Sequence, residues 1–206
     1  MFIDPAINMK PEPLLYNPFK ALVVPRPIGW ISTISSTGAV NLAPYSFFNG
    51  VADDPPCVMY CPNGSHPEGG PKDSLRNVEE TGEFVFNLCN WDLHKKMNLT
   101  AEHLPRNVDE MTKSGLEPMS CNKVKPPRVA VAPAAFECRY LETVKLPIGR
   151  SGRENNLVLG EVVGIHIDES VINDGMVDIS LLKPVARLGY MDYTVVTESF
   201  TMERPD

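Results

Sequence analysis

Proline stands at 20 of the 206 positions, from Pro5 to Pro205, and limits the fold more than any other feature. Each proline lacks a backbone N–H and fixes φ, so it ends or kinks a helix. In a sheet it is tolerated only at edges, strand starts and bulges. A bundle of long helices is therefore disfavoured, and many turns and interrupted strands are required. The segments between the prolines agree, because the longest of them are rich in β-branched and aromatic residues.

Taken in order, residues 1–20 are expected to pack as an extended N-terminal arm. Ile28–Ser35 reads as a strand, Ser36-Thr37-Gly38 as a tight turn and Val40–Ala43 as the antiparallel return. A short strand is expected at Cys57–Cys61, and Asn63–Pro71 is a Gly/Pro/His loop. A helix is expected over Asp73–Gly82, capped by Asp73 or Ser74 and closed by Gly82. Glu83–Cys89 alternates, with Phe84, Phe86 and Leu88 on one face and Val85 and Asn87 on the other. Asn90 can cap a second helix, in which Leu93, Met97, Ala101 and Leu104 share a face until Pro105. Residues 105–135 are polar and proline-rich, with one helical turn expected near Asp109–Ser114. Two long strands, Phe136–Leu146 and Leu157–Ile167, flank the loop Pro147–Arg153. Gly160, Gly164 and His166 share a face of the second, and paired glycines imply a close approach to the backbone. Short strands at Val185–Tyr190 and Tyr193–Thr197 follow. These elements predict a mainly β fold, a β-barrel with helical insertions, forming a single domain over 1–206.

The net charge of −7 argues against a nucleic-acid surface, and an anionic ligand would have to be held by local donors against the overall field. No run approaches the roughly 18 apolar residues of a membrane helix, and no secretory signal pattern opens the chain. Five widely spaced cysteines, Cys57, Cys61, Cys89, Cys121 and Cys138, predict free thiols in a reducing cytoplasm. No HxxxH pair exists, and Cys57-x-x-x-Cys61 is not a zinc or thioredoxin spacing, so no metal is expected. His66, His94 and His103 are expected to be solvated, and His166 to be a hydrogen-bonded structural residue. Neither a GxSxG elbow nor a GxGxxG fingerprint is present, which disfavours a hydrolase and a Rossmann site.

Arg26–Phe48 holds more hydroxyls, glycine and proline than a core hairpin needs. Ser32, Thr33 and Ser35 offer donors to an anion. Alternation places Thr33 and Ser35 on the face of Ile31, and Ser32 on that of Trp30. The helix start at Lys72-Asp73-Ser74 offers unpaired N–H groups, partial positive charge and an ammonium. Asp73 fits beside an anion only if it is turned to cap its own helix. Asn41-Leu42-Ala43-Pro44-Tyr45-Ser46 must bend at Pro44, which can aim successive N–H groups one way. Each feature also has a plain structural reading, as a solvated helix cap or as a turn ending a hairpin.

Together, Arg26-Pro27-Ile28, Ser32-Thr33, Gly38, Asn41–Phe48, Pro55-Pro56, Lys72–Asn77 and Glu83–Asn87 resemble the flavin reductase-like FMN-binding family, in its flavoredoxin branch, over about residues 20–195. The resemblance implies an FMN-binding split barrel and a homodimer. It also implies reduction of the flavin by transient NAD(P)H, through hydride transfer to N5. A flavoredoxin-like electron carrier with a protein redox partner, or a flavin- or haem-binding sensor, are the alternatives. Carried onto this chain, Ser32, Thr33, Lys72 and Ser74 would serve the phosphate, with Asp73 beside them. Asn41, Ala43, Pro44 and Ser46 would line the ring, and Arg187 and Tyr193 are looser candidates. No side chain is implied as acid or base.

Overall fold

The computed structural model describes residues 1–106 and 108–205. The arm of residues 1–20 is mostly exposed turns, and it runs into a single helical turn, α1 (Phe19–Leu22). After it come β1 (Arg26–Pro27), β2 (Gly29–Ile34), β3 (Val40–Tyr45), β4 (Phe48–Asp53) and β5 (Pro56–Tyr60). The first full helix, α2 (Asp73–Thr81), leads through Gly82, at φ 75°, into β6 (Glu83–Leu88). Asn90 accepts from the Leu93 N–H and starts a 3-10 turn that continues as α3 (His94–Leu99). Asp109 caps α4 (Glu110–Lys113), followed by the short pair β7 (Pro118–Met119) and β8 (Arg128–Val129). The long hairpin is β9 (Ala134–Leu146) with β10 (Asn155–Ile167). The remainder is β11 (Ile172–Asn173), β12 (Met176–Val177), α5 (Ile179–Leu182), β13 (Val185–Arg187) and β14 (Tyr193–Val195).

Seven strands form one antiparallel sheet in the order β3-β2-β6-β9-β10-β5-β4. Its two edge strands, β3 and β4, are joined by only Ser46 and Phe47. The sheet must therefore curl until its edges come close, and the Cys61 N–H, bonded to the Phe47 carbonyl at 2.9 Å, extends the β4–β5 pairing up to that junction. The edges do not pair as strands along their length, so the barrel is split. A barrel with helical insertions, as read from the sequence, is the fold. The second helix is shorter than its periodicity suggests. Leu93 and Met97 are buried, but α3 stops at Leu99 and Ala101 is exposed.

Ile31, Tyr45, Phe48, Tyr60, Phe84 and Val158 fill the barrel, which Leu75 and Val78 of α2 plug at one end. A second core lies outside β2 and β3, where Trp30 and Leu42 meet Leu93, Met97 and Met111 from the helices. Both faces of β2 are thus buried. The close approaches to β10 are made by the protein itself. A Cβ on Gly160 would lie 2.3 Å from the Phe84 ring, and one on Gly164 would lie 3.3 Å from the Glu137 carboxyl carbon. Among the described residues, no helix is long and apolar enough to cross a membrane.

Candidate functional site

The start of α2 faces β3 across a cleft of about 100 Å³, lined by Asn41, Ala43, Pro44, Lys72, Asp73 and Ser74. The bend expected at Pro44 does not form, because pairing with β2 runs without a shift from Val40 to Tyr45 and the chain bends only at Ser46 and Phe47. Residues of the 65–67 and 100–104 segments and Glu110 complete its wall. A larger hollow of about 450 Å³, lined by Asn63, Gly64, Ser151, Gly152 and Arg153, shares Ser65, Lys72 and His103 with it. Ligand pockets run from roughly 300 to 1,000 Å³. The cleft alone is too small for a nucleotide-sized ligand, while cleft and hollow together are not.

The charges here oppose the protein's net charge. Lys72 lies with Nζ 5.6 Å from the Tyr45 ring centre. Burial, and then the neighbouring Arg153 guanidinium, push its pKa below the usual lysine value. Neither Lys72 nor Arg153 is in an ion pair among the described residues. Lys20 extends this cationic region. Partial burial and then Arg153, Arg26 and Arg187 depress its pKa. An anion placed here would lower the cost of holding these like charges together.

Three carboxylates, Asp73, Glu102 and Glu110, also line the cleft, and that of Asp73, at the start of α2, is paired. Its carboxylate accepts from Arg106, pairs with Arg76 at 2.9 Å and lies 3.5 Å from His66 Nε2. It does not cap its helix. Lys72 is the cap residue and makes no side-chain cap bond, which corrects the expected Asp73 or Ser74 cap. His66, expected to be solvated, has a side chain only 8% exposed.

Glu110 holds β3 from behind. Its carboxylate accepts from Asn41 Nδ2 and from the Leu42 N–H, each at 3.0 Å. Burial raises the Glu110 pKa, and these bonds only partly oppose it. Asn41 Oδ1 is buried and has no partner among the described residues. Asn41 itself is a lining residue of the cleft.

The predicted residues divide into two groups. Asn41, Ala43, Pro44, Lys72, Asp73 and Ser74 share the cleft, although the Ser74 hydroxyl already bonds Tyr45 Oη at 2.5 Å. Ser32, Thr33, Ser46 and Arg187 are not brought into it. Ser32 is fully buried outside the barrel, where it donates to the Pro127 carbonyl at 2.6 Å and accepts from Asn87. Thr33 is fully buried and accepts from Asn77 of α2 at 3.1 Å. Neither hydroxyl reaches the cleft, because both faces of β2 are covered. Ser46 is half-buried at the junction of the sheet edges. Arg187 lies in a separate groove of about 800 Å³ with Trp91, Leu99, Met191 and Tyr193, its guanidinium 4.4 Å from the Tyr193 ring centre.

A flavin reductase like domain matches residues 21–191, most of the chain and all of the cleft. The chain belongs to the flavin reductase-like family. An uncharacterised protein of Deinococcus radiodurans is 40% identical to it over 202 residues, covering 94% of this chain and 86% of the relative. Among solved structures, nitrilotriacetate monooxygenase component B from Bacillus cereus aligns with a TM-score of 0.87 at 29% identity, covering 98% of each chain. Flavoredoxin of Desulfovibrio vulgaris (Miyazaki F) shares the fold, with a TM-score of 0.75 at 19% identity over 87% of this chain and 91% of its own. In this flavin reductase-like chain, sequence reasoning missed Glu110, Arg106 and Arg153. The first two lie in the proline-rich stretch and the third in a loop that no motif covers. The helical turn expected near Asp109–Ser114 contains Glu110 but gives it no role, and in the structure Asp109 caps that turn.

Proposed function

We propose that this protein binds FMN in the joined cleft and hollow and acts as an NAD(P)H-dependent flavin oxidoreductase. The observation that carries the proposal is the pair of cations without ion-pair partners among the described residues, Lys72 and Arg153, with Asn41, whose Oδ1 has no partner among them, on the wall of the same cleft, on a protein of net charge −7. A phosphate fits the cations, and a ring edge bearing N–H groups fits the acceptor. Lys72 and the start of α2 would hold the phosphate. Asn41, Ala43 and Pro44 would line the ring edge, with Glu110 keeping β3 in place. Arg76, Arg106 and His66 keep the Asp73 carboxylate occupied, so that it does not oppose an anion. When bound, FMN supplies the redox chemistry, accepting hydride from a transient nicotinamide and passing the electrons on. The chain's own task is to bind and orient, and no side chain is assigned a proton-transfer role.

The working unit is a cytoplasmic homodimer in this proposal. Exposed Trp91, Leu99, Met191 and Tyr193, gathered in one groove, support an apolar contact between copies. The activity is tested by mixing the FMN-loaded protein with NADH or NADPH anaerobically. Bleaching of the flavin within seconds is expected. Bleaching over many minutes, with rapid reduction by a redox protein, would replace the reductase by an electron carrier.

A further inference from the structure

Cys121, Glu137 and His166 come from three separate segments, yet their ligand atoms lie within 4.8 Å of one another. Glu137, on β9, is 1% exposed. Its Oε1 accepts from the Asn122 N–H at 2.8 Å and from His166 Nε2 at 2.6 Å. Its Oε2 accepts from the Lys123 and Val124 N–H groups, at 2.6 and 3.2 Å. These backbone bonds peg the 121–125 segment, and with it the Cys121 thiol, against the β9–β10 hairpin. Gly164 is the register partner of Glu137, and its missing side chain leaves room for the carboxylate to lie across β10 and reach His166. On the other side, His166 lines a hollow of about 350 Å³ together with Arg128 and Asp168.

We propose that Cys121, Glu137 and His166 form a binding site for a zinc-class divalent metal ion, with a fourth position open to the hollow. A thiol, an imidazole and a carboxylate are a donor set that suits zinc. Tetrahedral bonds of about 2.0–2.3 Å would put the ligand atoms roughly 3.3–3.6 Å apart. The histidine–carboxylate contact therefore opens and the widest separation closes, each by side-chain movement. The ion takes the place of the proton between His166 Nε2 and Glu137 Oε1. That imidazole proton moves to Nδ1, and the Cys121 thiol proton passes to solvent. One thiolate and one carboxylate then balance the two charges of the ion, so the site stays neutral beside Arg128. No redox change is involved. The ion would staple the 121–125 segment to the barrel, away from the FMN cleft.

The test uses the full-length protein, stripped of metal with a chelator and titrated with cobalt(II) chloride, with difference spectra removing any flavin signal. One equivalent should bring up tetrahedral cobalt absorption in the visible and a thiolate-to-cobalt charge-transfer band in the near ultraviolet. Added zinc should abolish both. Cys121→Ser should lose the charge-transfer band, and His166→Gln should weaken cobalt binding at least tenfold, both with wild-type circular dichroism. No charge-transfer band in the wild type, or a band that persists in Cys121→Ser, would overturn the proposal.

Discussion

Lys72 is the residue on which the phosphate reading leans most. It is partly buried, has no carboxylate partner among the described residues and stands where cleft and hollow meet. A charge-assisted contact of this kind is worth about 1–3 kcal/mol. Lys72→Ala should weaken FMN accordingly in a fluorescence titration, and an unchanged Kd would remove Lys72 from the site. Glu110 supports a pH prediction. Its pKa is raised by burial above 4.5, so over the interval between the two values the folded state holds more of its proton than the unfolded state does. Stability from this group is present below the unfolded pKa and is lost as pH rises through the folded one. The urea midpoint of the wild type should therefore fall relative to Glu110→Gln as pH rises from about 4.5 towards neutrality. A difference that does not vary with pH would contradict the assignment.

At the level of strands and helices, β6, β9 and β10 carry the barrel, and the packing of Phe84 over Gly160 ties two of them together. A Cβ on Gly160 would also lie 3.2 Å from the Arg139 carbonyl, so neither neighbour can yield easily. Gly160→Ala should cost about 1–3 kcal/mol by urea denaturation. A cost near zero would mean that the ring has room to move. Most strands were legible because alternation and turn residues are local signals. The start of α2 was legible for the same reason, but the bend expected at Pro44 was not borne out, because pairing with β2 keeps Pro44 within the strand. The roles expected of Ser32 and Thr33 were not, because alternation gives two faces but does not say that both are covered. Glu110 was out of reach as well. Its partner Asn41 is 69 residues away, and nothing local to either records the contact. The same holds for Cys121, Glu137 and His166, whose spacing matches no metal motif because the β9–β10 hairpin and its covering loop assemble them.

For the molecule as a whole, the decisive feature is a cationic hollow on an acidic protein, continuous with a cleft between β3 and the start of α2. The family match gives the fold, and the cleft gives the chemistry that this copy of the fold can do. The central claim is that the cations select a phosphate-bearing flavin. Its most direct test is an equilibrium titration of the apoprotein with FMN and, separately, with riboflavin, which carries the same ring without the phosphate. FMN should bind about 100-fold more tightly, the equivalent of roughly 2.7 kcal/mol from charge-assisted contacts. Equal affinities for the two flavins, or no binding of either, would contradict the account.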